Sequence, residues 1–293
     1  MVKFEVNSKN DNKKLIQVLK SKYENLPQST IYKALRNKDI KVNGVRIKEN
    51  ITLYKGDEVE VYIKDDILTG KNSAVLDDKR IVYEDDNILV YDKPQNLEVL
   101  SSDNQLGLQD LLKEKYGFIK ACHRIDRNTM GLVIFAKNEE AECLMVEMIK
   151  NRVIKKYYLA RVYGIPKNKK MTLKAYLYKD NRQSQVIISD VLKKGYKEII
   201  TRYRVVEEDK SNGTSLLEVE LITGKTHQIR AHLAHIGYPI LGDGKYGINA
   251  VNKSFGLKYQ ELYSYKIVFE DAYGILSYLK NKEISLNVLK GLK

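Results

Sequence analysis

Asp126 stands between two guanidinium-bearing residues in the run HRIDRNTMG, from His123 to Gly131. Neighbouring positive charge keeps such a carboxylate ionised, which suits a base or a nucleophile and not an acid. A second concentration of reactive types is Leu221 to Gly247, LITGKTHQIRAHLAHIGYPILGDGKYG, which holds three of the four histidines with Lys225 and Arg230. Between them lies Arg152 to Gly164, RVIKKYYLARVYG. As a strand it puts Lys156 and Tyr158 on one side with Ala160 and Val162. His227, His232 and His235 could be read as a metal set, but no acidic or cysteine ligand accompanies them. No metal site is expected.

These residues need elements to hold them. In Leu221–Gly247 a short strand should meet a turn at Thr223-Gly224-Lys225, with Gly224 taking a backbone conformation that other residues resist. Thr226 would cap the helix that follows. Ile229, Leu233 and Ile236 recur on one helical face, and Gly237 with Pro239 ends it. Lys225 and Arg230 put positive charge near a helix N-terminus, where the dipole opposes it. An acidic group is therefore expected opposite. Leu132 to Ala136 reads as a buried strand after the Asp126 loop. Asn138 should then cap a helix with Ala141, Leu144, Met145 and Met148 as its buried face. Strands are also expected at Ile81–Pro94, Leu217–Leu221 and Tyr263–Phe269. Many strands with few helices indicate an α+β fold with a mixed, mostly antiparallel sheet.

At 293 residues the chain can form one large domain or two smaller ones. Its net charge of +13 is concentrated. Ser29–Lys48 carries six basic residues against one acidic, and Lys150–Lys170 eight against none. Such concentrations fit a phosphate-rich partner, nucleic acid first. The two cysteines are too few for a disulfide framework or zinc site. No window is apolar enough for a membrane span, and MVKFEVNSKN lacks the core of a signal peptide. A cytoplasmic protein with no membrane partner is expected.

Residues 1–64 read as a separate small unit. Leu15, Val18 and Leu19 mark one helix, and Ile31, Ala34 and Leu35 a second. Asn43-Gly44 between alternating residues signals a hairpin, and Val59–Ile63 a last strand. From Lys13 to Lys64, with KVNG and GDEV as its most specific parts, this resembles the S4-type RNA-binding domain. The resemblance implies docking on structured RNA through Lys33, Arg36, Lys38, Lys41 and Arg46. Residues 65–79 read as a linker, and residues 80–293 as the catalytic domain.

HRIDRNTMGLVIFAK, KKYYLARVYG and the long Leu221–Gly247 stretch occur in this order, together with EDDNILVYDKP. Over Ile81–Phe269 the chain resembles the RluA-type pseudouridine synthases. The resemblance implies the pseudouridine synthase fold and a cofactor-independent isomerisation of uridine to its C-glycoside in RNA. It makes Asp126 the catalytic carboxylate, Tyr158 the ring that stacks on uracil, and Arg230 the partner of Asp126. Arg124 and Arg127 would face RNA or brace the loop, with His123, Lys156, Lys225 and His227 also among the RNA-facing residues. Ribosomal RNA of the large subunit is the favoured substrate, with transfer RNA as the alternative, and a monomer is implied.

Two departures from the family pattern stand out. Thr129-Met130-Gly131 replaces Thr-Ser-Gly, and Gln95–Leu100 replaces a glycine-containing turn ending in His-Pro. Both fall in loops, so they bear on RNA contacts and substrate more than on Asp126, Tyr158 or Arg230. Competing readings are a non-catalytic RNA-binding protein, a metallohydrolase and an RNA methyltransferase. The first conflicts with the retained trio, and the last lacks a glycine-rich strand-to-helix turn.

Overall fold

The computed structural model describes residues 1–23, 26, 28–63, 76–101, 106–180 and 185–287, without the side chains of Ser29 and Lys33. The expected RNA contact Lys33 thus lies outside the described side chains, as does most of the expected linker 65–79. Packing divides the chain into two units. One comprises Met1–Leu76 with Ser101–Leu111, the other Asp77–Leu100 with Leu112–Lys293.

The first unit holds β1 (Val2–Glu5), β2 (Lys13–Lys14), helices Leu15–Lys22 and Gln28–Arg36, β3 (Ile40–Val42), β4 (Val45–Arg46), β5 (Thr52–Leu53) and β6 (Glu58–Val61). Its sheet runs β1-β6-β3-β4, antiparallel throughout, and β2 pairs with β5. Both helices turn their predicted residues inward: Leu15, Val18, Leu19, Ile31, Ala34 and Leu35 are buried in one core. Val42 pairs with Val45 across Asn43-Gly44, whose φ of 49° and 78° are those of the tight turn that matches strand twist. Asn43 Oδ1 also accepts from Glu58 N–H at 2.9 Å, tying the turn to β6.

The second unit holds β7 (Ile81–Glu84), β8 (Ile88–Lys93), β9 (Lys120–Ala121), β10 (Met130–Ala136), helix Glu139–Lys150, β11 (Ile154–Tyr163), β12 (Lys170–Asp180), β13 (Gln185–Ser189), β14 (Lys197–Asp209), β15 (Thr214–Leu221), helices Gln228–His235 and Asn249–Ser254, β16 (Leu262–Phe269) and β17 (Glu283–Ser285). They form an 11-stranded sheet, β13-β12-β14-β15-β11-β16-β10-β8-β7, with β17 on β16 and β9 on β10. Among the described residues all its pairings are antiparallel except β10 with β16. The mixed, mostly antiparallel sheet is as expected. Asn138 caps its helix, Oδ1 accepting from Ala141 N–H at 2.8 Å. Ala141, Met145 and Met148 pack on Ile88, Val90, Leu132 and Ile134 of the sheet, with Leu144 half-buried at the margin.

The parallel junction is tight. Gly131 lies opposite Ser264 with φ of 106°, and a Cβ there would stand 2.1 Å from the Ser264 carbonyl oxygen. Only glycine fits both the conformation and the space. The Thr-Met-Gly variation therefore keeps the residue the sheet requires, and Met130 takes the first position of β10.

Candidate active site

The loop before β10 is pinned at several points. Thr129 N–H donates to the Asp126 carbonyl at 3.0 Å, and buried Thr129 Oγ1 accepts from Gln260 Nε2 at 2.7 Å. The His123 ring nitrogen Nε2 accepts from Ile134 N–H at 3.1 Å. Lys93, at the end of β8, is fully buried, and its Nζ donates to the carbonyls of Pro94, Leu97 and Arg127 at 2.8, 2.7 and 2.9 Å. One ammonium thus joins the divergent 95–100 loop to the Asp126 loop. Burial pushes its pKa down to about 7, while Asp126 and Asp92 oppose that shift. Arg127 braces the same pair of loops, its Nε donating to Asn96 Oδ1 at 3.1 Å.

Helix Gln228–His235 presents Arg230 to this loop. Its Nη1 donates to Asp126 Oδ2 at 2.8 Å. On its other edge Nε and Nη2 grip Asp243 Oδ2 and Oδ1 at 2.7 and 2.9 Å, a bidentate fork. Asp243 is wholly buried and also accepts from the Lys245 and Tyr246 amides at 2.8 and 3.1 Å. Burial works against the Arg230 charge, but Asp243 and then Asp126 outweigh it and hold the guanidinium above its usual range. Burial likewise opposes the Asp243 charge, and Arg230 with the two amides holds this carboxyl below the usual carboxylate range. The acidic group expected opposite the helix start is therefore two groups, one structural and one facing a cavity.

The start of that helix differs from expectation. The residue preceding it is His227, at φ 53° with no side-chain cap, and Gly224 keeps an ordinary φ. The strain thus falls on His227, at about 1–3 kcal/mol for a non-glycine residue in this region. Thr226 is exposed instead of capping. Thr223 and Gln228 do the turn's bonding, Gln228 Oε1 accepting from Thr223 Oγ1 at 2.9 Å and from Lys225 N–H at 3.1 Å.

Tyr158 reaches the site through an irregularity. Tyr157 pairs with Lys266 of β16, but Tyr158 pairs with Ser264, so the register slips by a residue between the two tyrosines. Such a bulge re-aims a side chain. Tyr158 is buried at 4% exposure, whereas Tyr157 is half-buried with the Lys266 ammonium 4.5 Å from its ring centre. Asp126, Arg124, Lys225 and Tyr158 line both a cavity of about 650 Å³ and an adjoining one of about 60 Å³. The larger is also walled by His123, Lys156, Lys150, Arg152, Lys155 and Lys197, the smaller by His227 and Arg230. A carboxylate, an aromatic ring and many cations around one opening suit an RNA nucleoside with its phosphates.

A family profile described as RNA pseudouridylate synthase matches residues 87–235. An uncharacterized RNA pseudouridine synthase of Mycoplasma capricolum is 35% identical over 98% of both chains. The chain belongs to the RNA pseudouridylate synthase family. A ribosomal large subunit pseudouridine synthase C of Haemophilus ducreyi is 31% identical over 91% of this chain and 87% of that one. The solved structure of human RNA pseudouridylate synthase domain containing 4 shares the fold, with a TM-score of 0.58 and 22% identity over 71% of this chain and 88% of that one.

In this pseudouridine synthase the trio Asp126, Tyr158 and Arg230 meets at one cavity wall, with His123, Arg124, Lys156, Lys225 and His227 around it. Arg127 is turned to Asn96. Burial, with Lys156 nearby, holds the His123 pKa down to about 3, and burial lowers that of Lys156. The three clustered histidines have separate partners: Tyr246 for His227, Thr201 for His232 and Asp190 for His235. In the first unit Lys41 pairs with Glu60, and both Lys41 and Arg46 lie against the Tyr62 ring. Arg36 and Lys38 are exposed, with Lys38 giving its carbonyl to Arg46. Sequence reasoning passed over Lys93, Asp243 and Tyr246. Asp243 had one signal, an acid between two glycines in an otherwise basic stretch.

Proposed function

We propose that this synthase converts uridine to pseudouridine in RNA of the large ribosomal subunit, in the cytoplasm, with Asp126 as the catalytic carboxylate. The observation that carries the reading is the Asp243–Arg230–Asp126 chain ending at a cavity that Tyr158 also lines. Arg230 occupies Asp126 Oδ2, and among the described residues Oδ1 has no hydrogen-bond partner. This oxygen is available to the nucleoside as base or nucleophile. The bond from C1′ to N1 breaks, the base turns while held against Tyr158, C5 joins C1′, and the C5 proton is released. Holding the detached base makes its return intramolecular, an entropic advantage of several kcal/mol in favourable cases. A uridine must leave its stack to reach such a cavity. The cations Lys156, Arg124 and Lys225 would take the flanking phosphates.

The large-subunit assignment draws support from the relatives that bear that substrate in their names. The first unit, read as S4-like, would dock structured RNA through Arg36, Lys38, Lys41 and Arg46. Mapping pseudouridines in RNA from cells with and without the gene tests the assignment. Loss of positions in large-subunit RNA, restored by wild type but not by Asp126→Asn, is the expected result. Loss confined to transfer RNA would overturn the substrate, and turnover by Asp126→Asn at the wild-type rate would overturn the site.

A further inference from the structure

His227 is built into the active site more firmly than an RNA-facing cation would need to be. Its backbone is left-handed, and its ring lines the small cavity with Asp126, Tyr158 and Arg230. Nδ1 lies 2.8 Å from the Tyr246 hydroxyl. That hydroxyl already accepts the Val186 N–H at 2.9 Å. The phenol has one proton to give, and His227 Nδ1 is the acceptor placed to receive it. With the phenol donating to it, Nδ1 would be the unprotonated nitrogen and the ring proton would sit on Nε2. Among the described residues Nε2 has no protein partner. The Arg230 guanidinium stands 5.3 Å from the Tyr246 ring centre, so the residue that grips Asp126 also steadies the tyrosine. Burial, with Arg230 and Lys245 near, holds the imidazole neutral with a pKa of about 4, against the pull of Asp126 and Asp243.

We propose that His227 Nε2–H donates a hydrogen bond to a carbonyl oxygen of the target uracil while the base is detached, with Tyr246 as the positioning residue that fixes the donor tautomer. The proposal rests on the synthase reading of the cavity. Cleavage of the bond from C1′ to N1 leaves its electron pair on the ring, shared among N1, O2 and O4. A neutral donor stabilises that charge without surrendering its proton to it. The turn needed to bring C5 to the sugar, a half-turn about the axis through N3 and C6, exchanges N1 with C5 and O2 with O4. One fixed donor therefore meets a carbonyl oxygen before and after the turn. This suits a residue held rigidly at a strained backbone position.

Full-length wild type, His227→Ala, His227→Gln and Tyr246→Phe can be compared by single-turnover tritium release from RNA carrying 5-tritiated uridine, by RNA affinity and by ¹⁵N NMR of histidine. The His227→Ala rate should fall about 100-fold or more, with RNA affinity changed less than about threefold. His227→Gln, whose amide Nε2 also donates, should regain about tenfold of that loss. The wild-type spectrum should show Nδ1 unprotonated and Nε2 protonated, and Tyr246→Phe should lose that fixed tautomer and slow the rate. A wild-type rate for His227→Ala, a loss confined to RNA affinity, or a proton on Nδ1 would each overturn the proposal. If His227→Ala does not fold, the glutamine variant and the wild-type spectrum still decide. No release from wild type would sink the synthase reading itself, whatever the tautomer shows.

Discussion

Asp243→Asn keeps the side-chain volume and deletes the charge beneath Arg230. In the native protein both Asp243 oxygens accept: Oδ2 from Arg230 Nε, and Oδ1 from Arg230 Nη2 and the Lys245 and Tyr246 amides. An asparagine must present its NH₂ to one of those sets of donors, leaving N–H facing N–H. Removing one partner of a buried ion pair costs about 3–5 kcal/mol. Asp126 still holds Nη1, so the lower end applies, about 3 kcal/mol. For a unit of this size that is a fall of roughly 6–12 °C in the melting transition of the catalytic unit. The pH dependence carries the sign. The folded Asp243 carboxyl titrates below its unfolded value, so its contribution is complete above the unfolded pKa of about 3.9 and is lost as pH falls through the folded pKa. The wild-type minus variant difference, from urea unfolding, should be level from about pH 5 to 8 and shrink below about pH 4. A difference under about 0.5 kcal/mol at pH 7, or one that persists undiminished into acid, would refute the reasoning.

Three further tests address other parts of the fold. Gly131→Ala should cost about 3 kcal/mol or more by thermal unfolding, because its Cβ would stand 2.1 Å from the Ser264 carbonyl oxygen at an unsuitable φ. A melting temperature within a degree or so of wild type would contradict the tight junction. Lys93→Met strands three carbonyls at once, so turnover should drop at least about tenfold and stability by about 2–4 kcal/mol, read by tritium release and urea unfolding. Lys156→Gln should weaken RNA binding across sequences and lower the slope of log affinity against log salt by about 1.

Local chemistry made much of this chain legible. The Asn43-Gly44 turn, the Asn138 cap and the buried faces of the helices each follow from residues within a few positions of one another. Asp126, Tyr158 and Arg230 were visible because their motifs are specific. Asp243 and Lys93 were not, since their roles come from long-range closure. Asp243 meets Arg230 13 positions back along the chain, across the end of a helix, and Lys93 reaches the Arg127 carbonyl 34 positions on. Neither distance leaves a trace in periodicity. The helix start was misread for a related reason: the glycine offered the easy left-handed position, yet His227 takes it, held by Tyr246 from further along the chain.

The slip in pairing at Tyr157 and Tyr158 has a consequence for how β11 finds its place. Lys155-Lys156-Tyr157-Tyr158 is a doublet of doublets, so sliding the strand by one position would offer the cavity another lysine and another tyrosine in the same order. Side-chain identity alone separates the two alignments poorly here. The bulge breaks the near-tie, because beyond it Leu159 and Ala160 must meet Tyr263 and Leu262, and no second leucine-alanine pair is available to satisfy the shifted alignment. The choice of which phenol enters the cavity is therefore made further down the strand, by Leu159 and Ala160, which line neither cavity.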